Sequence, residues 1–175
     1  MGSQGWRCDA VRTGTVSLSP ETYAVGMSDS IEQRLRRLED LQEIHQLFID
    51  YGSALDAGDF ARYASLFARD GEILLGPMGR ATGPTAIEEL MRRTLEGRVG
   101  ESVHIISSPQ VTLDGDRATS QVMWTVIHRG KDGQPRLTMV GRHHDELIRE
   151  DGRWRFHKRR GTVDIPTTYG TPNLD

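Results

Sequence analysis

Cysteine is all but absent: Cys8 stands alone among 175 residues, so no internal disulfide can form and a reducing compartment suits the chain. Long apolar runs are missing as well. Nothing approaches the roughly 18 consecutive residues that a membrane-spanning helix needs, and the N-terminus has no basic-then-apolar secretory pattern. Positive charge is not in excess either, with 22 Lys and Arg against 25 Asp and Glu for a net charge of -3. The basic residues form no broad patch: Arg34, Arg36 and Arg37 lie among acids on a helix where Arg34 to Asp40 reads as a solvated face, and Lys158-Arg159-Arg160 is a short local run. These absences argue against nucleic-acid and membrane partners, and the expectation is a soluble, cytoplasmic protein.

Motifs for several chemistries are missing too. Gly76-Pro77-Met78-Gly79 lacks the Lys and Ser/Thr of a phosphate-cradling loop. There is no GxSxG nucleophile elbow and no HExxH metal string. No cofactor and no metal site is expected.

What remains fits one domain with a sizeable core. Residues 1–27 show neither helical nor strand period and read as a flexible arm, or as sequence upstream of a start at Met27; Trp6 and Cys8 in it receive no catalytic role. The domain is expected over residues 28–162, with 163–175 a tail. Ser28-Asp29-Ser30 offers capping oxygens. From there Ile31, Leu35, Leu38, Leu41, Ile44, Phe48, Tyr51 and Leu55 recur at steps of three and four, the single apolar face of a long helix ending near Ala57-Gly58. Asp59 caps a short second helix with Phe60, Tyr63 and Leu66 or Phe67 inward, and Pro84 opens a third with Ile87, Leu90, Met91 and Leu95 inward. Asp70-Gly71 reads as a turn before a short strand from Glu72 to Leu75, and Gly79 to Gly83 as loop or weak strand.

The second half reads as strands: Ser102 to Ser107, Gln110 to Leu113, Arg117 to His128, Leu137 to Arg149 and Arg153 to Arg160. Hairpin turn chemistry separates the later ones at Asp114-Gly115-Asp116, Lys131-Asp132-Gly133 and Asp151-Gly152. Helices first and a turn-linked sheet after is an α+β order. Alternation places Ala118, Ser120, Val122, Trp124, Val126 and His128 on one strand face as a pocket wall, and Arg117, Thr119, Gln121, Met123, Thr125 and Ile127 on the other. Met139, Gly141, His143, Asp145 and Leu147 share a face by the same rule, so His143 lines the pocket and His144 points out.

Asp56 follows the last apolar position of the first helix, and a carboxylate there needs a partner. A histidine that donates one ring N–H to it gains a fixed tautomer and a more basic second nitrogen, able to remove a proton beside a carbonyl. His104 is the candidate. The plainer alternative has Asp56 capping the next helix and His104 satisfied in the core. His128 either joins the pocket or ends its strand at the solvent edge. Tyr51 donates to a ligand or packs the core; Trp124, Trp154 and Phe156 pack the sheet, with Trp124 also a pocket liner.

The strings Tyr51 to Phe67 (YGSALDAGDFARYASLF), Asp70-Gly71, Gly83-Pro84 with Ala86-Ile87, His104, Leu113 to Ala118 and Asp145 to Trp154 occur in an order that resembles the SnoaL-like branch of the nuclear-transport-factor-2-like superfamily. The likeness covers about residues 30–162. It implies a cystatin-like fold, a cone-shaped curved antiparallel or mixed sheet wrapped by about three N-terminal helices, with a pocket between. Ala54 to Phe60 resembles the helix-end motif of scytalone dehydratase, a member of that superfamily. The implied roles are Asp56 orienting, His104 as base and His128 as hydrogen-bond donor; Tyr51, His143 and Trp124 are the substrate-binding candidates by the faces they occupy. Leu55 replaces a tyrosine that helps hold a catalytic water there, and Glu72-Ile73 lacks a second, so scytalone itself is not the expected substrate.

The leading expectation is a cofactor-independent acid/base enzyme, a dehydratase, isomerase or cyclase, acting on a small hydrophobic oxygenated molecule and self-associating as a dimer or higher oligomer. The alternatives are a non-catalytic ligand-binding or dimerisation module of the same fold, and an epoxide or ester hydrolase. The hydrolase would want a second carboxylate or an arginine beside Asp56.

Overall fold

In the computed structural model, which describes residues 30–166, α1 (Ile31–Ala57), α2 (Phe60–Ser65) and α3 (Pro84–Leu95) accompany six strands. These are β1 (Phe67–Leu74), β2 (Arg80–Thr82), β3 (Ser102–Asp114), β4 (Arg117–Arg129), β5 (Pro135–Glu150) and β6 (Arg153–Ile165). The expected arm, with Trp6 and Cys8, and residues 167–175 of the expected tail lie outside the described residues; β6 itself continues past residue 162. Contacts divide the chain at Arg34 into units of residues 1–34 and 35–175. In the first, Ser30 Oγ accepts from the Gln33 amide at 3.2 Å while Gln33 Oε1 accepts from the Ser30 amide at 2.7 Å, a reciprocal helix cap.

The second unit holds one curved, unclosed mixed sheet in the order β2-β1-β6-β5-β4-β3. β1 runs parallel to β6 and every other pair is antiparallel. Helix residues Ile44, Phe48, Tyr51, Phe60, Tyr63 and Met91 form one buried core with Ala118, Val122, Leu147, Trp154 and Phe156 of the sheet. The helices therefore cover the face that alternation assigned to the pocket. β4 confirms the parity, with Ala118, Ser120, Val122, Trp124 and Val126 all buried.

Four expectations change. The apolar stripe of α1 is buried at Ile44, Phe48 and Tyr51 and partly so at Leu55, whereas Ile31, Leu35 and Leu38 are exposed at 82%, 54% and 64%. Asp40, read as part of a solvated helix face, binds the Arg149 guanidinium and accepts from Trp154 Nε1 at 3.3 Å, while Glu43 accepts from the Trp154 amide at 2.9 Å. Asp70-Gly71 is not a turn but a register irregularity inside β1. A Cβ on Gly71 would lie 2.7 Å from the Phe156 carbonyl oxygen, so only glycine lets the strands pass there. Likewise the two expected strands after Ser102 are one, β3, with an irregularity between Ser107 and Gln110 and Ser108 at a φ of 51°.

The irregularity of greatest consequence is in β6. Leu147 pairs with Phe156 and Glu146 with Lys158, so His157 is an extra residue. Beyond it the inward parity of Trp154 and Phe156 passes to Arg159, which is fully buried, while Arg160 is exposed.

Candidate active site

α1 ends where Gly58 takes a φ of 68° and the Asp59 amide donates to the Ala54 carbonyl at 2.9 Å. A Cβ on Gly58 would lie 2.8 Å from Val99, so both backbone conformation and space require glycine. Asp59 then caps α2, its carboxylate accepting from the Arg62 amide at 3.0 Å. The plainer alternative for Asp56 is therefore met by a different residue, and Asp56 is left free to face β3.

It grips His104 in two ways. The His104 amide donates to both carboxylate oxygens at 3.1 Å, and His104 Nδ1 lies 2.6 Å from Asp56 Oδ1. Gly52 permits this approach: a Cβ there would sit 3.3 Å from Ile106 Cγ1 and 3.5 Å from the His104 carbonyl oxygen. A carboxylate at the negative end of a helix dipole is unfavourable, and the two donors from His104 offset it. With Asp56 ionised, Nδ1 carries the proton and Nε2 carries a lone pair. The pair is not sealed, since the side chains keep 25% and 21% of their surface exposed.

Asp56 and His104 line a cavity of about 650 Å³, which Leu55, Met78, Met91, Trp124, Val126 and Met139 make largely apolar. Tyr51, His128 and His143 line it too, so all six candidate residues meet in one cavity. His128 Nδ1 is 2.6 Å from Thr138 Oγ1, which is itself 3.2 Å from the Val126 carbonyl. Thr138 is the extra residue of a register shift between β4 and β5. If its hydroxyl proton goes to Val126, His128 shows the cavity an acceptor; if it goes to His128 Nδ1, the ring shows a donor. Partial burial lowers the His128 pKa, and the charges of Arg98 and His104 lower it further against Glu101.

His143 is buried, its ring edge-on to Tyr51 at 5.5 Å and 5.9 Å from the Trp124 ring. Its Nδ1 is buried without a partner among the described residues. Burial holds its pKa well below the ordinary histidine value, and Arg159, His104 and His144 add to the effect. His144 is exposed, as alternation requires.

Beneath Tyr51 lies a buried ionic cluster for which the sequence reading made no provision. Arg159 donates from Nε and Nη2 to the two Asp145 oxygens at 2.7 and 2.9 Å, and Ser120 Oγ donates to Asp145 Oδ2 at 2.8 Å. The guanidinium carbon sits 3.9 Å from the Phe156 ring centre and 4.1 Å from that of Tyr51. Burial pulls the Arg159 pKa down, but Asp145, with Tyr51 and Tyr63 adding to it, more than offsets this and holds the value up. Tyr63 also lines the cavity and donates to the Tyr51 hydroxyl at 2.8 Å. Burial, more than any other influence, raises both phenols. Tyr63 was legible only as an inward helix residue four positions after the Asp59 cap. Among the described residues no group of three or more His, Cys, Asp or Glu is arranged to hold a metal ion.

The curved sheet, its three covering helices and the apolar cavity define the cystatin-like, nuclear-transport-factor-2-like class. Within it, a SnoaL-like domain model matches residues 36–160, and the chain belongs to that family. A crystal structure of a nuclear-transport-factor-2-like protein with a cystatin-like fold from Novosphingobium aromaticivorans is 28% identical with a TM-score of 0.74, covering 82% of this chain and 95% of that one. A protein from the same organism provisionally named a scytalone dehydratase is 23% identical with a TM-score of 0.66, covering 81% of this chain and 95% of that one, a likeness of fold. An uncharacterized protein of Mycobacterium tuberculosis is 29% identical over 125 residues, 70% of this chain and 84% of its own.

Proposed function

We propose that this chain is a cofactor-independent acid/base enzyme, a dehydratase, isomerase or cyclase acting on a small hydrophobic oxygenated substrate. One observation carries the reading: His104 Nδ1 is 2.6 Å from Asp56 at the wall of an apolar cavity. His104 Nε2 takes a proton from the carbon beside a substrate carbonyl, and the C–H electron pair moves toward the carbonyl oxygen. Asp56 keeps the tautomer fixed and stabilises the imidazolium that forms. Return of that proton to another carbon gives isomerisation; its transfer to a departing β-hydroxyl gives dehydration. The provisional name of the scytalone dehydratase-like neighbour accords with the second course.

The non-catalytic alternative would gain from a His104 whose hydrogen bonds are saturated and closed to solvent. Instead its hydrogen bonds run from Nδ1 and the backbone to Asp56, and the ring reaches the cavity. The hydrolase alternative wants a second carboxylate or an arginine beside Asp56; Glu101 and Arg98 both line the cavity, but they pair with each other at 3.5 Å. The test is exchange of α-protons of cyclic ketones and hydroxyketones into heavy water, followed by proton NMR. Wild-type protein should exchange at least one member above the buffer rate, and His104→Gln should lose about 10²- to 10⁴-fold. Equal exchange by both proteins would overturn the proposal.

We also infer self-association through the outer sheet face. Cross-strand neighbours Val103, Ile127 and Leu137 form one row there, and Ile105, Thr125, Val140 and Ile165 the next. Val103, Ile105, Leu137 and Ile165 are all exposed, more apolar surface than a solvated sheet face ordinarily shows.

A further inference from the structure

A buried histidine with one sealed nitrogen has its tautomer chosen for it. His143 Nδ1 has no hydrogen-bond partner among the described residues and is shut from solvent. Gly161 on β6 makes room for it: a Cβ there would lie 3.3 Å from His143 Nδ1 and Cε1. A neutral imidazole carries one N–H and one lone pair. An orphaned buried N–H is costlier than an orphaned acceptor. The proton therefore belongs on Nε2, the ring's remaining polar atom, and His143 lines the cavity.

We propose that His143 is an Nε2–H donor that holds an acceptor oxygen of the ligand at the cavity wall, opposite in tautomer to His104. Its surroundings keep it uncharged. The Arg159 guanidinium behind it repels a second positive charge, the Tyr51 phenol beside it is itself held neutral by burial, and Asp145 is committed to Arg159 and Ser120. Burial and the charges of Arg159, His104 and His144 all act in the same direction on the ring. A neutral donor is the useful state for polarising a carbonyl, because it strengthens its bond as negative charge grows on the oxygen without giving up its proton first. The ligand this selects is a neutral molecule with a carbonyl oxygen at its inner end. A cationic end there would be repelled by the buried Arg159 charge, as a charged His143 ring would be, and a purely donating one would meet another donor.

In the proton-transfer scheme, His104 receives the proton and His143 holds the oxygen toward which the electron pair moves. That role rests on the acid/base reading of His104; the donor itself does not, and the two fail separately.

The ring-nitrogen NMR spectrum of the native protein tests the tautomer, with His143→Gln supplying the assignment. The expected result is a proton on Nε2 from about pH 5 to pH 8. A proton on Nδ1, or a ring that becomes charged within that range, overturns the proposal. The second readout compares binding of 1-tetralone with tetralin, the same bicycle without the oxygen. Native protein should favour the ketone by about five- to tenfold. His143→Phe should abolish the preference, and His143→Gln, which retains an N–H donor, should keep part of it. Asp56→Asn should leave the preference in place even where it stops proton exchange. No preference in native protein, or one that survives in His143→Phe, overturns the proposal.

Discussion

A carboxylate in the last turn of a helix, with no basic residue in that turn, is a local electrostatic fault. Asp56 persists there because His104 answers it from another element with both its amide and its ring. Sites where local rules are broken and then repaired from a distance are where function is to be sought. Removing the charge while keeping the shape, in Asp56→Asn, should lower exchange activity by about 10- to 10³-fold, because the ring loses its fixed tautomer. Stability should change by no more than about 1 kcal/mol, the pair being partly exposed; urea unfolding checks the second point and NMR exchange the first. Asp145 is different. Its pair with Arg159 is fully buried, so Asp145→Asn should cost about 3–5 kcal/mol by stranding a buried guanidinium. A loss below about 1 kcal/mol in urea unfolding would show that the guanidinium finds another partner.

At the scale of elements, the strands are where sequence pattern and structure part company, and in each case an irregularity is responsible. The parity of β4 and β5 was legible because each alternates cleanly through Trp124 and His143, and those strands carry three of the six candidate residues. Read straight, β6 sends Arg159 outward as part of a basic run; the extra residue His157 inverts that, and nothing in the local composition marks it. Asp70-Gly71 and Ser108-Pro109 look like chain reversals because turns and bulges call on the same residue types. The contact of Asp56 with His104 spans 48 residues, and the resemblance rather than the spacing brought the two together. Gly141 makes an element-scale prediction. A Cβ there would lie 2.0 Å from the Thr162 carbonyl oxygen and 2.3 Å from Trp124, so Gly141→Ala should destabilise by about 2 kcal/mol or more and move the indole in the cavity wall. Thermal unfolding with near-ultraviolet dichroism reads both; an unperturbed tryptophan signal would contradict the packing.

For the whole molecule, two buried or half-buried histidines with lowered pKa values make stability depend on pH. Folded His143 and His128 bind protons less readily than the unfolded chain does. Their contribution is therefore intact above the ordinary value of about pH 6.5 and declines as the pH falls below it, by at most about 1.4 kcal/mol per pH unit for each. The decline continues furthest for His143, whose value lies well below the ordinary one. Denaturant midpoints between about pH 7 and pH 4 should fall with acid, and His143→Gln should flatten the slope. The outer sheet face makes a separate prediction at this scale. Ile105→Lys with Leu137→Lys should shift the molecule toward monomer in light scattering while leaving the cavity and its chemistry intact, since both side chains are exposed on the opposite face.

The most direct measurement is the ring-nitrogen spectrum of His104 in native protein and in Asp56→Asn. With Asp56 present, the neutral ring should carry its proton on Nδ1, hydrogen-bonded, with Nε2 free toward the cavity; with Asn in its place, the two tautomers should mix. A native His104 with its proton on Nε2, or a tautomer indifferent to the substitution, would contradict the proposed base.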